Sequence, residues 1–202
     1  RSGYQSVYLA VGAQKASKLG LDGEDRTYGI FRGIDFLREV VFSYIPELHG
    51  TVIVVGGGNT AIDAARTALR CRAEKVKIVY RRSLNEMPAH HEEIVAAQKE
   101  GIEILFLTNP KSIISENNKL KGIECLKMKL GESKPGERPI PVPIEKSEFK
   151  IDCDFLISAI GQALDTGFAQ FDKDCNFEKW GTICINNDTM ETSMQGVFAG
   201  GD

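Results

Sequence analysis

The sequence predicts an α/β fold, a Rossmann-like parallel sheet interrupted by a crossover antiparallel β-meander. Three observations carry this. Residues 51–55 (TVIVV) form a fully apolar, β-branched run of strand length that enters Gly56-Gly57-Gly58. Residues 60–72 then place Ala61, Ala64, Ala65, Ala68 and Leu69 along one side of a helix, and residues 76–80 (VKIVY) supply a second apolar strand. Strand, glycine turn, helix and strand within about 30 residues make the parallel βαβ unit.

The other elements follow in chain order. Residues 6–12 (SVYLAVG) read as a buried strand running into a glycine turn, and Val197-Phe198-Ala199 as a strand entering Gly200-Gly201-Asp202. Both ends of the chain read as cuts through a fold, and the two terminal segments are expected to be neighbours, either pairing with each other or fraying where their partners are lost. Residues 32–44 space Ile34, Leu37, Val40, Val41 and Tyr44 as the buried face of a helix, which Pro46 and Gly50 terminate. After the βαβ unit, Met87-Pro88 suits the first turn of a helix, residues 90–99 have the composition of an exposed helix ending at Gly101, and residues 102–107 make a third parallel strand. The pattern then shortens: 112–114, 122–130 and 149–151 are separated by turn-rich residues 116–118 and 131–139. This predicts the meander, which leads into a fourth buried parallel strand at 155–160 (FLISAI), ending at Gly161.

Composition sets the outer bounds. A chain of 202 residues, 42% apolar with formal charge −3, can bury one sizeable core with or without a smaller lobe, and it lacks the field that would recruit nucleic acid or an anionic membrane. No apolar stretch approaches the roughly 20 residues of a membrane span, and the default location is cytoplasmic. The cysteines, Cys71, Cys125, Cys153, Cys175 and Cys184, are odd in number and without a Cys-x-x-Cys pair, which disfavours a disulfide framework or zinc site and predicts structural thiols. His90-His91-Glu92-Glu93 has metal-ligand residue types, but adjacent side chains on a helix diverge by about 100°, so it reads as a solvated face. Ser6, Ser43 and Ser158 lack a nucleophile-elbow setting, and Trp180 reads as core.

The chemistry lies in the glycine turn. Gly56-Gly57-Gly58-Asn59-Thr60-Ala61 fits G-x-G-x-x-A: Gly56 makes the tight turn, Gly58 leaves room for a pyrophosphate against bare backbone, and Ala61 permits close helix packing. The strand before it and the Ala-rich helix after it are the context this motif requires. Where a NAD site usually places an acidic residue for the ribose hydroxyls, this chain has Tyr80-Arg81-Arg82-Ser83. Two guanidinium groups and a neighbouring hydroxyl suit a 2′-phosphate, so NADP(H) is the expected cofactor.

Residues 55–66 (VGGGNTAIDAAR), 78–89 (IVYRRSLNEMPA), 122–124 and 155–162 (FLISAIGQ) resemble the glutamate synthase small-subunit family of NADPH-dependent flavin oxidoreductases, which is also similar to the nicotinamide-binding region of dihydropyrimidine dehydrogenase. The resemblance extends to residues 4–13, 21–25 and 188–202. It implies the NAD(P)-binding domain of a flavoprotein with two dinucleotide-binding domains, in which hydride passes from NADPH to FAD and electrons continue to a large catalytic subunit or an iron-sulfur carrier. Residues 29–162 would form the NADP(H) domain, while 1–28 and 163–202 would be partial flavin-domain and linker segments. By motif, Gly56, Gly58, Asn59 and Thr60 would hold the pyrophosphate and Arg81 and Arg82 the 2′-phosphate. Ala159, Gly161 and Gln162 would line the nicotinamide side, and Val11-Gly12 with Gly201 and Asp202 would lie on the FAD side, Asp202 accepting a bond from the ribityl chain. The family's first FAD fingerprint and its cysteine-rich iron-sulfur region are absent, and Ala163-Leu164-Asp165 replaces its usual continuation. The chain by itself is therefore expected to bind NADPH without flavin. A non-catalytic NADP(H)-binding or redox-sensing module is the alternative at this point.

Overall fold

The computed structural model describes residues 3–13, 15–42, 47–133, 136–163, 175–178 and 181–201. Ser43, Tyr44, Pro46, Leu164, Asp165, Trp180 and Asp202, all invoked above, lie outside the described residues. The chain divides into two compact units, Ala16–Gly161 and Arg1–Lys15 with Gln162–Asp202. It passes between them at two two-residue strands, β2 (Lys15–Ala16) and β12 (Gln162–Ala163).

The larger unit is organised by β4 (Thr51–Val55), whose predicted bounds hold, because an unbroken β-branched run buried on both faces favours a central parallel strand. It pairs with β5 (Lys75–Val79) on one side and β11 (Phe155–Ser158) on the other, all parallel. β6 (Glu103–Leu105) and β3 (Ile30–Arg32) complete a five-stranded sheet in the order β3-β11-β4-β5-β6. The sequence predicted four parallel strands in this unit; the fifth, β3, is a three-residue Ile-Phe-Arg segment too short to show a period.

Successive residues of β4 face opposite layers. Val52 and Val54 share a cluster with Val76, Ile78, Ile157 and the helices α1 (Gly33–Val41), α2 (Asn59–Arg70) and α3 (His91–Lys99). Ile53 and Val55 join Val79 and Leu156 against Leu120, Ile123, Cys125 and Cys153. The second layer is the meander: β7 (Thr108–Glu116), β8 (Lys119–Leu130) and β10 (Phe149–Asp152), antiparallel in the order β10-β8-β7, with β9 (Pro141–Pro143) also on β8. The β7-β8 turn uses Asn117 and Asn118 at φ +52 and +57, the pair of left-handed residues that a two-residue hairpin needs.

Helix α2 keeps its predicted face, with Ala61, Ala64, Ala65 and Ala68 fully buried. Two helices depart from expectation. In α1 the buried anchor is Phe36, while Val41, expected inside, is 79% exposed, because Phe36 reaches the cluster between Phe31 and the Ala-rich face of α2. Pro88 does not open a helix: Leu84–Glu86 form a 3-10 turn, Met87 is extended, and α3 starts at His91. That helix is not wholly exposed either, since Ile94 and Ala97 are buried against α2 and the sheet edge. Arg66 of α2 clasps α3 through Glu93 and Glu100, with Arg70 adding a second guanidinium to Glu100. These guanidinium groups hold the Glu100 carboxyl below its ordinary range, and Glu100 in turn raises Arg66.

In the smaller unit, β1 (Val7–Leu9) pairs in parallel with β13 (Val197–Ala199), so of the two outcomes expected for the terminal segments they pair. β1 is not buried as expected: Val7 and Tyr8 are 49% and 60% exposed, because β1 and β13 pair with each other as a two-stranded sheet. Irregular antiparallel bridges join Phe177 with Ile183, Ile185 with Thr192 and Glu191 with Phe198 in that unit. Among the described residues no helix is long and apolar enough to cross a membrane, and no group of His, Cys, Asp and Glu could hold a metal ion.

Candidate dinucleotide site

The parallel strands end in one row. Val55 lies in register with Val79 and Ser158, and Ser158 with Arg32, so the turns after β4, β5, β11 and β3 open along the carboxyl edge of the sheet. The chain progresses from β4 outward through β5 and β6, whereas β11 lies on the opposite side of β4. The β4–β11 boundary is thus a topological switch point, where an open α/β sheet forms its ligand crevice.

The three glycines there meet different surroundings. At Gly56 (φ +150) a Cβ would lie 2.2 Å from the Ala159 carbonyl oxygen, so only glycine lets the two strand ends close. At Gly57 a Cβ would lie 2.4 Å from the ring of Tyr80. At Gly58 a Cβ would meet nothing within 4 Å. The backbone is therefore packed from beneath and bare above, which is the opening a pyrophosphate needs. Helix α2 begins here with Gly58 as N-cap, no side-chain cap and no acidic residue in its first turn. The Gly58 carbonyl accepts from the N–H groups of Ala61 and Ile62, while those of Asn59 and Thr60 have no acceptor inside the helix and point toward the opening with the positive end of the helix dipole.

The residues singled out by sequence are placed unequally. Ala61 is buried, with its methyl group 3.2 Å from the point where a Cβ on Gly56 would lie. Thr60 and Ala159 both border Gly33, so the floor of the crevice is built from small groups of three elements. Asn59 supplies its backbone N–H, but its side-chain Oδ1 accepts from the His90 N–H at 3.0 Å. Gly161 sits at φ +126 with its carbonyl accepting from the Ser17 N–H, and Gln162 is exposed in β12. Gly201, exposed at φ +103, belongs to the smaller unit, and Asp202 lies outside the described residues.

Arg81 is exposed, while Arg82 is half-buried and donates from Nε to the Pro139 carbonyl at 2.8 Å. Ser83 does not keep the free hydroxyl expected of it. Its Oγ donates to Glu86 Oε2 at 2.6 Å and accepts from the Asn85 N–H, because a capping box closes the 3-10 turn.

Sequence reasoning passed over the segment that braces the cradle. The Tyr80 hydroxyl donates to the Glu86 carbonyl at 2.7 Å, and the Ala89 N–H donates to the Gly57 carbonyl at 3.1 Å. With the His90–Asn59 bond, these ties fold residues 84–90 back along the glycine turn. The signal that could have revealed this was Gly57 itself, since the G-x-G-x-x-A pattern leaves that position free and a third glycine there calls for a separate steric reason.

A glycine cradle at a switch point, opening onto a helix N-terminus with arginines after the second strand, defines a dinucleotide-binding α/β unit. The chain belongs to the pyridine nucleotide-disulphide oxidoreductase family, whose pattern matches residues 1–202. It is 45% identical over 201 residues to the NADP(+)-dependent formate dehydrogenase subunit beta of Moorella thermoacetica, covering 98% of this chain and 28% of that protein. It is 36% identical over 152 residues to the glutamate synthase [NADPH] small chain of Azospirillum brasilense, covering 75% of this chain and 31% of that one, in line with the resemblance seen in the motifs. The chain thus spans about a third of the length of these curated relatives. Mycobacterium tuberculosis FprA, solved in complex with NADPH, shares the fold with a TM-score of 0.77 at 18% identity over 98% of this chain and 58% of FprA.

Proposed function

We propose that this chain is the NADP(H)-binding portion of a flavin-dependent oxidoreductase of the glutamate synthase small-subunit type, which passes hydride from NADPH to FAD and on to an iron-sulfur or other electron-acceptor partner. The observation that carries the reading is the bare backbone above Gly58 at the β4–β11 switch point, where a Cβ would meet nothing within 4 Å although Gly56 and Gly57 are closely packed. NADP(H) supplies the hydride when bound; the protein binds and orients it. The N–H groups of Asn59 and Thr60 hold the pyrophosphate, Arg81 and Arg82 hold the 2′-phosphate, and Ala159 and Gly161 leave space along the crevice toward the nicotinamide. Among the described residues, the groups that border Gly33 and Gly56 on the floor of the crevice are small or backbone groups, which suits a site that orients a cofactor and leaves the hydride chemistry to it.

The smaller unit, residues 1–15 with 162–202, is assigned to the flavin side of the parent enzyme, a narrower segment than the 1–28 and 163–202 read from sequence. The relatives named subunit beta and small chain support a multi-subunit setting, with a large catalytic subunit or an iron-sulfur protein as the electron acceptor.

Calorimetric titration with NADPH and NADH at fixed ionic strength tests the assignment. Charge-assisted bonds to the 2′-phosphate contribute about 1.5–3 kcal/mol each before screening. A net preference of about 2 kcal/mol corresponds to roughly thirtyfold in affinity. Arg81→Ala combined with Arg82→Ala should erase the preference and spare the weaker NADH binding. Equal affinities in the unsubstituted chain would defeat the reading.

A further inference from the structure

Arg81 and Arg82 follow the same strand but are held differently. Arg82 is anchored at two points. Its carbonyl accepts from the Leu107 N–H at 3.0 Å, and the Leu107 carbonyl accepts from the Met128 N–H of β8 at 2.7 Å. Its side chain crosses to the connection between β8 and β9, where Nε donates to the Pro139 carbonyl at 2.8 Å. Arg81 is exposed, and its side chain has no hydrogen-bond or ion-pair partner among the described residues.

The base of that β8–β9 connection is fixed. The Gly131 N–H donates to the Ile140 carbonyl at 2.8 Å, and Leu130, Lys129 and Met128 pair with Pro141, Val142 and Pro143. Prolines at 139, 141 and 143 lock φ at alternate positions, and the residue after Pro139 is already tied to Gly131, so the backbone carrying the Pro139 carbonyl keeps little freedom. A guanidinium is planar with donors in a rigid fork: once Nε–H is aimed at a carbonyl, the plane and the two Nη groups are aimed as well.

We propose that the Pro139 carbonyl is a positioning group for coenzyme selection, fixing the Arg82 guanidinium so that its Nη donors meet the 2′-phosphate of NADPH already oriented. The meander is thereby part of the specificity apparatus of the parallel sheet and not only the cover of its second face. This rests on the assignment of Arg82 to the 2′-phosphate made above. Of the two arginines, Arg82 carries most of the discrimination, because its orientation is fixed before the ligand arrives while Arg81 must be ordered by it.

The test is a double-mutant cycle on the full 202-residue chain, read by calorimetry with NADPH and NADH. In one variant, residues 132–139 are replaced by an Asn-Gly turn, which suits a two-residue hairpin closed by the Gly131–Ile140 pair and removes the Pro139 carbonyl. This variant is expected to bind NADPH about tenfold more weakly with NADH affinity within about twofold. In an Arg82→Ala background the same replacement should change NADPH affinity by less than about twofold. Pro139→Gly keeps the connection at full length while releasing the carbonyl, and should lower the NADPH-to-NADH affinity ratio about threefold, which keeps the test decisive if the shortened hairpin does not fold. Equal losses in both backgrounds, or an unchanged ratio in the shortened or Pro139→Gly chain while Arg82→Ala abolishes it, would overturn the positioning role and leave the NADP(H) assignment standing. A ratio that Arg82→Ala does not change would overturn the role of Arg82 and this inference with it.

Discussion

Gly57 and Gly58 are neighbours, yet an added methyl group meets opposite fates on them. On Gly57 it would enter the ring of Tyr80, which is itself held by its hydroxyl bond to Glu86, so Gly57→Ala should destabilise the fold by about 1–3 kcal/mol, measurable as a lower urea midpoint. On Gly58 it would enter open space with φ −89 and ψ 177, backbone angles that valine adopts without strain. Gly58→Val should therefore leave stability within about 0.5 kcal/mol while weakening NADPH binding tenfold or more, by roughly 1.4 kcal/mol. Unchanged melting with unchanged affinity would reduce Gly58 to a turn residue. At this scale the glycine turn was legible because its roles are steric and local. The partners of Ser83 and Arg82 were not, since a hydroxyl or guanidinium adjacent to a site in sequence can be bonded elsewhere, in the case of Arg82 to a carbonyl 57 residues away.

Helix α2 is the element that joins the cradle to the core. Its four buried alanines bring its backbone close to the sheet, so Ala65→Leu should cost about 1–3 kcal/mol through overpacking, read by chemical denaturation. Its other attachment is electrostatic. Glu100, held below its ordinary value of 4.5 first by its hydrogen bond to Arg66, contributes stability that is fully present above that value and is lost as pH falls through its lowered native value. Arg66→Met should flatten the acid limb of a urea-midpoint profile below Glu100's ordinary value of 4.5. An unchanged acid limb would show that the α2–α3 clasp contributes nothing measurable. Long apolar or Ala-rich elements such as β4 and α2 were readable from the sequence. β3 has three residues, and β9 has proline at both ends, tolerated only because it is an edge strand on β8. On α1, Leu37 and Val40 of the predicted face do pack against the core, but Val41 is exposed and Phe36 was missed, because the helical period alone does not show the packing of Phe36 against Phe31.

For the molecule as a whole, the apolar strands imply that both faces of the sheet are covered, and the meander is what covers the second one. Cys125 and Cys153 lie in that covered layer, where burial pushes both thiols up to about 12. They should resist a thiol reagent at pH 8 until denaturant is added. Stability should decline as pH rises from about 9 toward 12, because the unfolded chain ionises these thiols first. Rapid labelling of either in the native chain would mean that the meander opens readily. The division into units was less legible, since segment 16–28 carries no strong period, and its place in the larger unit depends on contacts such as those of Tyr28 with Asn118 and Leu120. Where that unit begins and ends, the Ser17 N–H donates to the Gly161 carbonyl at 3.1 Å and the Ser158 hydroxyl to the Ser17 carbonyl at 3.2 Å. Its entry and exit are thus a hydrogen bond apart, no wider than an ordinary surface turn. A host protein could receive the whole unit in place of such a turn with little loop-closure entropy, and two crossovers in a gene, one on each side, would move it intact from one protein to another.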